Sequence, residues 1–266
     1  MNIYRKLLKP ILIILLKNNL IKLTYLPSIL RIGLIGTLVF ELDRVIKYNS
    51  GGYFYIYPMP QENNLAKYYQ TQYWSSYRKE KMQLLRNRDL YHLQLILNLC
   101  ELNISEINFL NFGAGHGGLS HLIFTLQGNV VNIDHDRFLF GLHVGKTNWS
   151  CFNDMSKIKK THFDIIYSSH SLEHVVDIEA TIKTIYKLLK PGGYFFVEVP
   201  NCEDKNTLNG GVDYQIHVPH TYYFKREFFE KLPLESIHCE IYNDNNEICD
   251  FNKLGSSIRY LGRKSN

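Results

Sequence analysis

A chain of 266 residues with 45% apolar side chains has room for one large α/β domain, or for a core of roughly 150–200 residues with an appendage, and it can bury a proper core. Its five cysteines, Cys100, Cys151, Cys202, Cys239 and Cys249, are odd in number and lack C-x-x-C spacing, so neither a disulfide framework nor a zinc knuckle is indicated and a reducing cytoplasm fits best. The net charge of +5 is carried by the front of the chain: Arg5, Lys6, Lys9, Lys17, Lys22 and Arg31 make residues 1–40 +6, and the nearly neutral remainder argues against a basic groove for nucleic acid.

Residues 1–40 are apolar with regular basic interruptions. Their longest uncharged runs, Pro10–Leu16 and Ile32–Phe40, fall far short of the roughly 18 apolar residues that suggest a membrane span. Lys17 follows the apolar run at once and no small-residue cleavage site appears, so a signal peptide is weakly supported. Two readings of this arm remain: a helix packed on the core or on a second subunit, or a basic, apolar-faced segment making peripheral contact with an anionic membrane surface. Next, Val45–Tyr48 and Tyr53–Tyr57 are β-prone runs on either side of Asn49-Ser50-Gly51-Gly52, which predicts a hairpin ended by Pro58 and Pro60. Helical spacing covers 61–72, and a longer amphipathic pattern covers 78–102, with Met82, Leu85, Leu93, Ile96, Leu97 and Cys100 in phase.

From Ile107 a βα alternation begins. Strands are predicted at 107–112, 129–134, 149–152, 163–168 and 194–199, with helices at 117–127, 136–146 and 175–189 between them. Such alternation implies right-handed crossovers and a parallel sheet covered on both faces. A helix at 225–232 and β-prone runs at 236–242 and 256–262 would add a final pair at the sheet edge, the last strand antiparallel. Between the first two strands stand Gly113, Gly115, Gly117 and Gly118, which favour a tight turn with positive φ and let a ligand approach bare backbone. Asp134 ends the next strand, where a carboxylate can accept both hydroxyls of a ribose. Together they mark a nucleoside site.

Three blocks in order carry a family resemblance: FLNFGAGHGG at 109–118 with VVNID at 130–134, FDIIYSSHSLEHVVD at 163–177, and LLKPGGYFFVEVPN at 188–201. On these the chain resembles class I S-adenosylmethionine-dependent methyltransferases of the small-molecule and sugar type (methyltransferase domain 23-like), over about 105–230. The resemblance implies a doubly wound, mostly parallel seven-stranded sheet of Rossmann-like methyltransferase type, with an N-terminal helical and hairpin extension. It also implies S-adenosylmethionine as cofactor, held by Asn111, Gly113, Gly115, Gly117, Asp134, Ser169 and Asp154, the last beside the adenine amino group. Asn111 stands where the family usually has Asp or Glu, so a hydrogen-bonding group is kept and a charge is lost. Physically, Pro191 cannot continue a helix and Gly192-Gly193 supply the turn into the next strand, so that block is mainly structural.

On the acceptor side, His170, Glu173 and His174 follow the strand at 163–168 on the ligand-binding edge of the sheet. HVPHTYYFKREFF at 217–229 resembles the family's acceptor-pocket element, with Pro219 where sugar C-methyltransferases carry Glu and His220 kept. A near-neutral histidine accepts a proton at physiological pH, which makes His220 the first candidate base and His170 the second. His217, Asn201, Tyr69, Tyr73 and Trp74 are expected as pocket lining. The zinc-binding cysteine cluster of related C-methyltransferases has no counterpart before Cys100, so no metal is expected. The domains expected are a basic arm at 1–40, a cap or lid at 41–104 and a methyltransferase domain at 105–266. The function expected is methyl transfer, most readily O-methylation, to a small-molecule or saccharide acceptor in surface-glycan or secondary metabolism, in the cytoplasm or at the inner face of the membrane. A catalytically silent methyltransferase-like scaffold is the alternative, motivated by Asn111 and Pro219; a nicotinamide-dependent dehydrogenase accommodates the glycines and Asp134 but not the blocks at 163–177 and 188–201.

Overall fold

The computed structural model describes residues 45–69, 86–135, 149–152, 155–158, 162–204, 220–249 and 255–266, with two isolated positions, 11 and 15. The arm at 1–40, the expected helix at 136–146 and the first part of the helix expected at 78–102 fall outside these residues.

The predicted hairpin is present: β1 (Val45–Asn49) and β2 (Tyr53–Tyr57) pair antiparallel, with Gly52 at φ 93° in the turn. Helix α1 (Glu62–Tyr68) follows, and α2 (Asn87–Leu99) begins where Asp89 and the Arg86 backbone close a capping box. The core then alternates β3 (Asn108–Phe112), α3 (Gly118–Thr125), β4 (Asn129–Ile133), β5 (Trp149–Phe152), β6 (Phe163–Ser169), α4 (Ile178–Leu188) and β7 (Leu189–Pro200). After it come β8 (Tyr222–Phe224), α5 (Arg226–Glu230), β9 (Glu235–Tyr242) and β10 (Ser257–Arg263).

Seven strands form one sheet in the order β5-β4-β3-β6-β7-β10-β9, parallel from β5 to β7 and antiparallel on both sides of β10. This is the expected Rossmann-like sheet. Alternate residues feed two cores. Phe109, Ile165, Tyr167 and Phe196 face Ile96 of α2 and Leu119 and Ile123 of α3. Leu110, Ile166, Phe195 and Val197 face Ile178 and Ile185 of α4 and the aromatic cluster of Tyr53, Phe224 and Phe228. The chain leaves β3 first toward β4 and β5 and later returns on its other side as β6, which opens a crevice at the C-terminal ends of these strands.

Two features differ from the sequence reading. Strand β7 starts at Leu189, not Tyr194, because the backbone of Gly192 and Gly193 still pairs with Lys264 at 2.9 and 2.8 Å while Gly192 takes φ 73°. Tyr222–Phe224, expected as the approach to a helix, is a strand: β8 pairs with β2, Tyr53 opposite Phe224, and makes a second, three-stranded sheet in the order β1-β2-β8.

The main sheet carries one buried charge where the pattern of β7 calls for an apolar residue. Glu198 is 1% exposed and faces α2. Its Oε2 accepts from His92 Nε2 at 2.9 Å and from Arg259 Nε, and its Oε1 accepts from His170 Nε2 at 3.0 Å with the Arg88 guanidinium 3.4 Å away. Burial pushes the Glu198 carboxyl upward, but His92 and His170 outweigh it and hold the group well below its ordinary value. Burial keeps His92 below its ordinary value, so its neutral ring donates through Nε2 and accepts the Tyr167 hydroxyl at Nδ1, 2.7 Å away. Glu198→Gln therefore leaves buried cations uncompensated and is expected to cost roughly 3–5 kcal/mol, read from urea denaturation midpoints. The folded pKa of Glu198 lies below its unfolded value of about 4.3, so its contribution is complete above that pH and is lost as pH falls further. The native chain should thus lose more stability between pH 5 and 3, as rough bounds, than the Gln variant does.

Candidate active site

The glycine loop is built by backbone geometry. The N–H groups of Gly113 and Ala114 both donate to the carbonyl of Ile133, at 2.9 and 3.0 Å, which folds the end of β3 over the end of β4. Gly113 has φ 72°, and a Cβ there would lie 1.9 Å from Ser171 Oγ, whose hydroxyl donates to the Gly113 carbonyl at 3.0 Å. Gly115 (φ 57°) donates its N–H to Asp134 Oδ2 at 2.7 Å, and Gly117 (φ 75°) caps α3. The turn thus aims its second glycine at the carboxylate that ends β4.

Register places Asn111 of β3 opposite Asn132 of β4, and Ser120 of α3 bridges them. Asn111 Nδ2 donates to Ser120 Oγ at 2.8 Å, and Ser120 Oγ donates to Asn132 Oδ1 at 2.6 Å. Asn111 Oδ1 and Ser169 Oγ, both buried, have no hydrogen-bond partner. An aspartate at 111 would supply a charge but lose the donor on which this ladder rests.

These groups border a cavity of about 870 Å³. Of the residues expected to hold the cofactor, Asn111, Gly113, Gly115, Asp134 and Ser169 lie on its wall; Gly117 stands behind it as the helix cap, and Asp154 lies outside the described residues. The unsatisfied Asn111 Oδ1 and Ser169 Oγ, the bare backbone of the loop and the strand-end carboxylate form a donor and acceptor set that suits S-adenosylmethionine. The sequence reading did not single out Arg86, Arg88 and Asp89, which the start of α2 brings to the same wall. Arg86 and Arg88 add positive charge to that end of the cavity, and because they fall inside the helical pattern at 78–102 the sequence gives no signal that singles them out.

At the other end, the segment after β6 gathers the acceptor-side candidates. His170 lies on the cavity wall in a left-handed conformation, φ 51°, and is clamped there because its backbone N–H donates to the Glu198 carbonyl at 2.9 Å while its ring donates to the Glu198 carboxylate. Burial lowers the His170 pKa, but Glu173 and Glu198 outweigh it and raise the value, so this ring retains its proton more readily than a free histidine. Glu173 is 1% exposed, its nearest nitrogens being His170 Nδ1 at 3.5 Å and His174 Nε2 at 3.7 Å. Burial raises the Glu173 carboxyl, but His174, His170 and His220 hold it at about 2. His220 packs its ring 5.0 Å from that of His174 and is not among the wall residues; it is fixed by Thr221, whose N–H donates to the Glu173 carbonyl at 2.8 Å and whose hydroxyl is shared between the Glu173 and Val175 carbonyls at 2.8 and 2.7 Å. Of the expected lining, Tyr69 is on the wall, Asn201 is not and instead donates to the Gly255 carbonyl, and Tyr73, Trp74 and His217 lie outside the described residues.

A family model described as a methyltransferase domain matches residues 65–236. No curated protein matches the chain. Among solved structures, the fold is similar to that of the 1,6-didemethyltoxoflavin-N1-methyltransferase of Burkholderia thailandensis, solved with 1,6-didemethyltoxoflavin and S-adenosylhomocysteine (TM-score 0.56, 15% identity, 85% of this chain and 97% of that one). It is also similar to an S-adenosylmethionine-dependent methyltransferase of Mesorhizobium loti (TM-score 0.50, 15% identity, 68% and 100%) and to the CcbJ methyltransferase of Streptomyces caelestis (TM-score 0.50, 12% identity, 71% and 94%). These structures share the fold, while the family model spans more than half of the chain and the glycine loop with Asp134 fits the cofactor. The chain belongs to the methyltransferase domain family and is an S-adenosylmethionine-dependent methyltransferase.

Proposed function

We propose that the enzyme methylates an oxygen of a small polar acceptor, a small molecule or a saccharide. The observation that carries this reading is a continuous cavity of about 870 Å³ among the described residues that runs from the glycine loop to the histidines after β6, a size within the range of small-ligand sites. Among the described residues its wall is polar at both ends and presents no extended basic face for a nucleic acid.

The cofactor supplies a methyl group already activated on a sulfonium. Alignment then contributes much of the catalysis, and the chain's residues do the aligning. Asp134 is assigned to the ribose hydroxyls, Asn111 Oδ1 and Ser169 Oγ to the amino-acid moiety, and Arg86 and Arg88 to its carboxylate; Asp154 is assigned to the adenine amino group. His170, held by Glu198, donates a hydrogen bond to the acceptor, and the cluster of Glu173, His174 and His220 assists loss of the acceptor's proton. Residues 41–104 are read as a cap over this cavity. Residues 1–40 are read as an arm that packs on the core or on a second subunit, with contact to an anionic membrane as the second reading; vesicle sedimentation that is lost on removing the arm supports the second, and sedimentation that is retained excludes it.

Asp134→Ala should raise the dissociation constant for S-adenosylhomocysteine roughly 10- to 100-fold in isothermal titration, the effect of losing one or two charge-assisted hydrogen bonds. His220→Asn should lower turnover by about 10²–10⁴ while leaving that constant unchanged. Acceptor class is tested by supplying isotopically labelled cofactor to metabolite and glycan pools: the expected product is an oxygen-methylated small molecule, and label found only in nucleic acid or protein would overturn the reading.

A further inference from the structure

We infer that Glu173, His174 and His220 form a binding site for a first-row divalent transition-metal ion at the acceptor end of the cavity. The ligand atoms of these three residues all lie within 4.8 Å of one another. Glu173 is 1% exposed, and neither of its oxygens has a hydrogen-bond partner, although a buried carboxylate ordinarily spends both. Its nearest nitrogens are His170 Nδ1 at 3.5 Å, at the outer limit of a hydrogen bond, and His174 Nε2 at 3.7 Å, so among the described residues the carboxylate is held by long ion pairs alone. Of the proposed ligands, Glu173 and His174 lie 3.7 Å apart, close to the roughly 3.4 Å between two atoms bonded to one tetrahedral ion at about 2.0–2.2 Å, and side-chain rotation within the 4.8 Å cluster would bring the third ligand in.

The chemistry of the donors sets the kind of ion. Two imidazoles and one carboxylate suit zinc, cobalt or ferrous iron, whereas magnesium and calcium prefer all-oxygen shells. Three protein ligands leave a coordination position open, the pattern of a catalytic rather than a structural centre. His174 also lines the cavity, so that position is reached from the acceptor side. The site is framed independently of the ion by Thr221, whose N–H donates to the Glu173 carbonyl and whose hydroxyl is shared between the Glu173 and Val175 carbonyls, which sets His220 against the helical turn bearing Glu173 and His174. Sequence spacing hides this, because His220 is 46 positions from His174 and no cysteine takes part.

The catalytic consequence rests on the proposed O-methylation: an ion held by Glu173, His174 and His220 would lower the pKa of a bound acceptor oxygen, so that its proton would pass to solvent water before the methyl group is transferred. The binding site itself does not rest on that reading. The full chain, stripped with a chelator, is dialysed against zinc and analysed for bound metal, and cobalt is titrated while its visible spectrum is recorded. One ion per chain and a cobalt spectrum of low-coordinate form are expected. Glu173→Gln and His220→Asn should each weaken zinc binding at least 100-fold, while Asp134→Ala leaves it intact. S-adenosylhomocysteine titration of Glu173→Gln and His220→Asn, and thermal unfolding of Asp134→Ala, report whether the variants are folded, and His220→Asn, on a segment between elements, decides the matter if Glu173→Gln does not fold. Absence of stoichiometric metal, or binding unchanged in a folded variant, overturns the site. Metal binding without methyl transfer would count against the acceptor reading alone.

Discussion

The active-site end of the sheet depends on one buried carboxylate. Glu198 stands in a strand where its neighbours Val197 and Val199 are fully buried, and its desolvation is offset only because donors from α2, from the end of β6 and from β10 all reach it. The same contact therefore closes the sheet against α2 and fixes the first residue of the acceptor-side segment. His170 is held by Glu198 through backbone and side chain together, and that double hold sustains its left-handed φ.

The two ends of the cavity are made by different physics. The cofactor end is made of backbone: a turn of glycines whose N–H groups are committed to Ile133 and Asp134. The acceptor end is made of side chains on short segments around β6 and β8, whose positions depend on contacts distant in sequence. Backbone sites of the first kind tolerate change in surrounding side chains, while sites of the second kind can change chemistry by one substitution. That asymmetry is consistent with a fold shared with enzymes at 12–15% identity.

How much could be read beforehand follows the same division. The glycine spacing, the strand ending at Asp134, the apolar runs of β3, β6 and β7 and the hairpin are local patterns, and the sheet and its glycine turn were legible from them. Strand β8 was not, because Tyr222–Phe224 is three residues long and becomes a strand only by pairing with β2, about 170 positions earlier. Glu198 reads in sequence as one acid in a strand, and its partners His92, His170 and Arg259 come from three separate elements. Asn111 reads as an aspartate that lost its charge; paired with Ser120 and Asn132, it is instead the donor at one end of a buried polar ladder, and Asn132 carries no signal of its own.

The pairing of β2 with β8 joins the first described strands to the chain beside His220. Ile56 donates its backbone N–H to the Thr221 carbonyl at 3.0 Å, and Lys225 donates to the Gly52 carbonyl at the same distance, so the hairpin and the segment after His220 are hydrogen-bonded into one ribbon. The hairpin is thus a handle on acceptor chemistry: whatever binds, bends or modifies its exposed outer strand, where Val45 and Tyr48 face solvent, is mechanically connected to the residue next to His220 without touching the cavity.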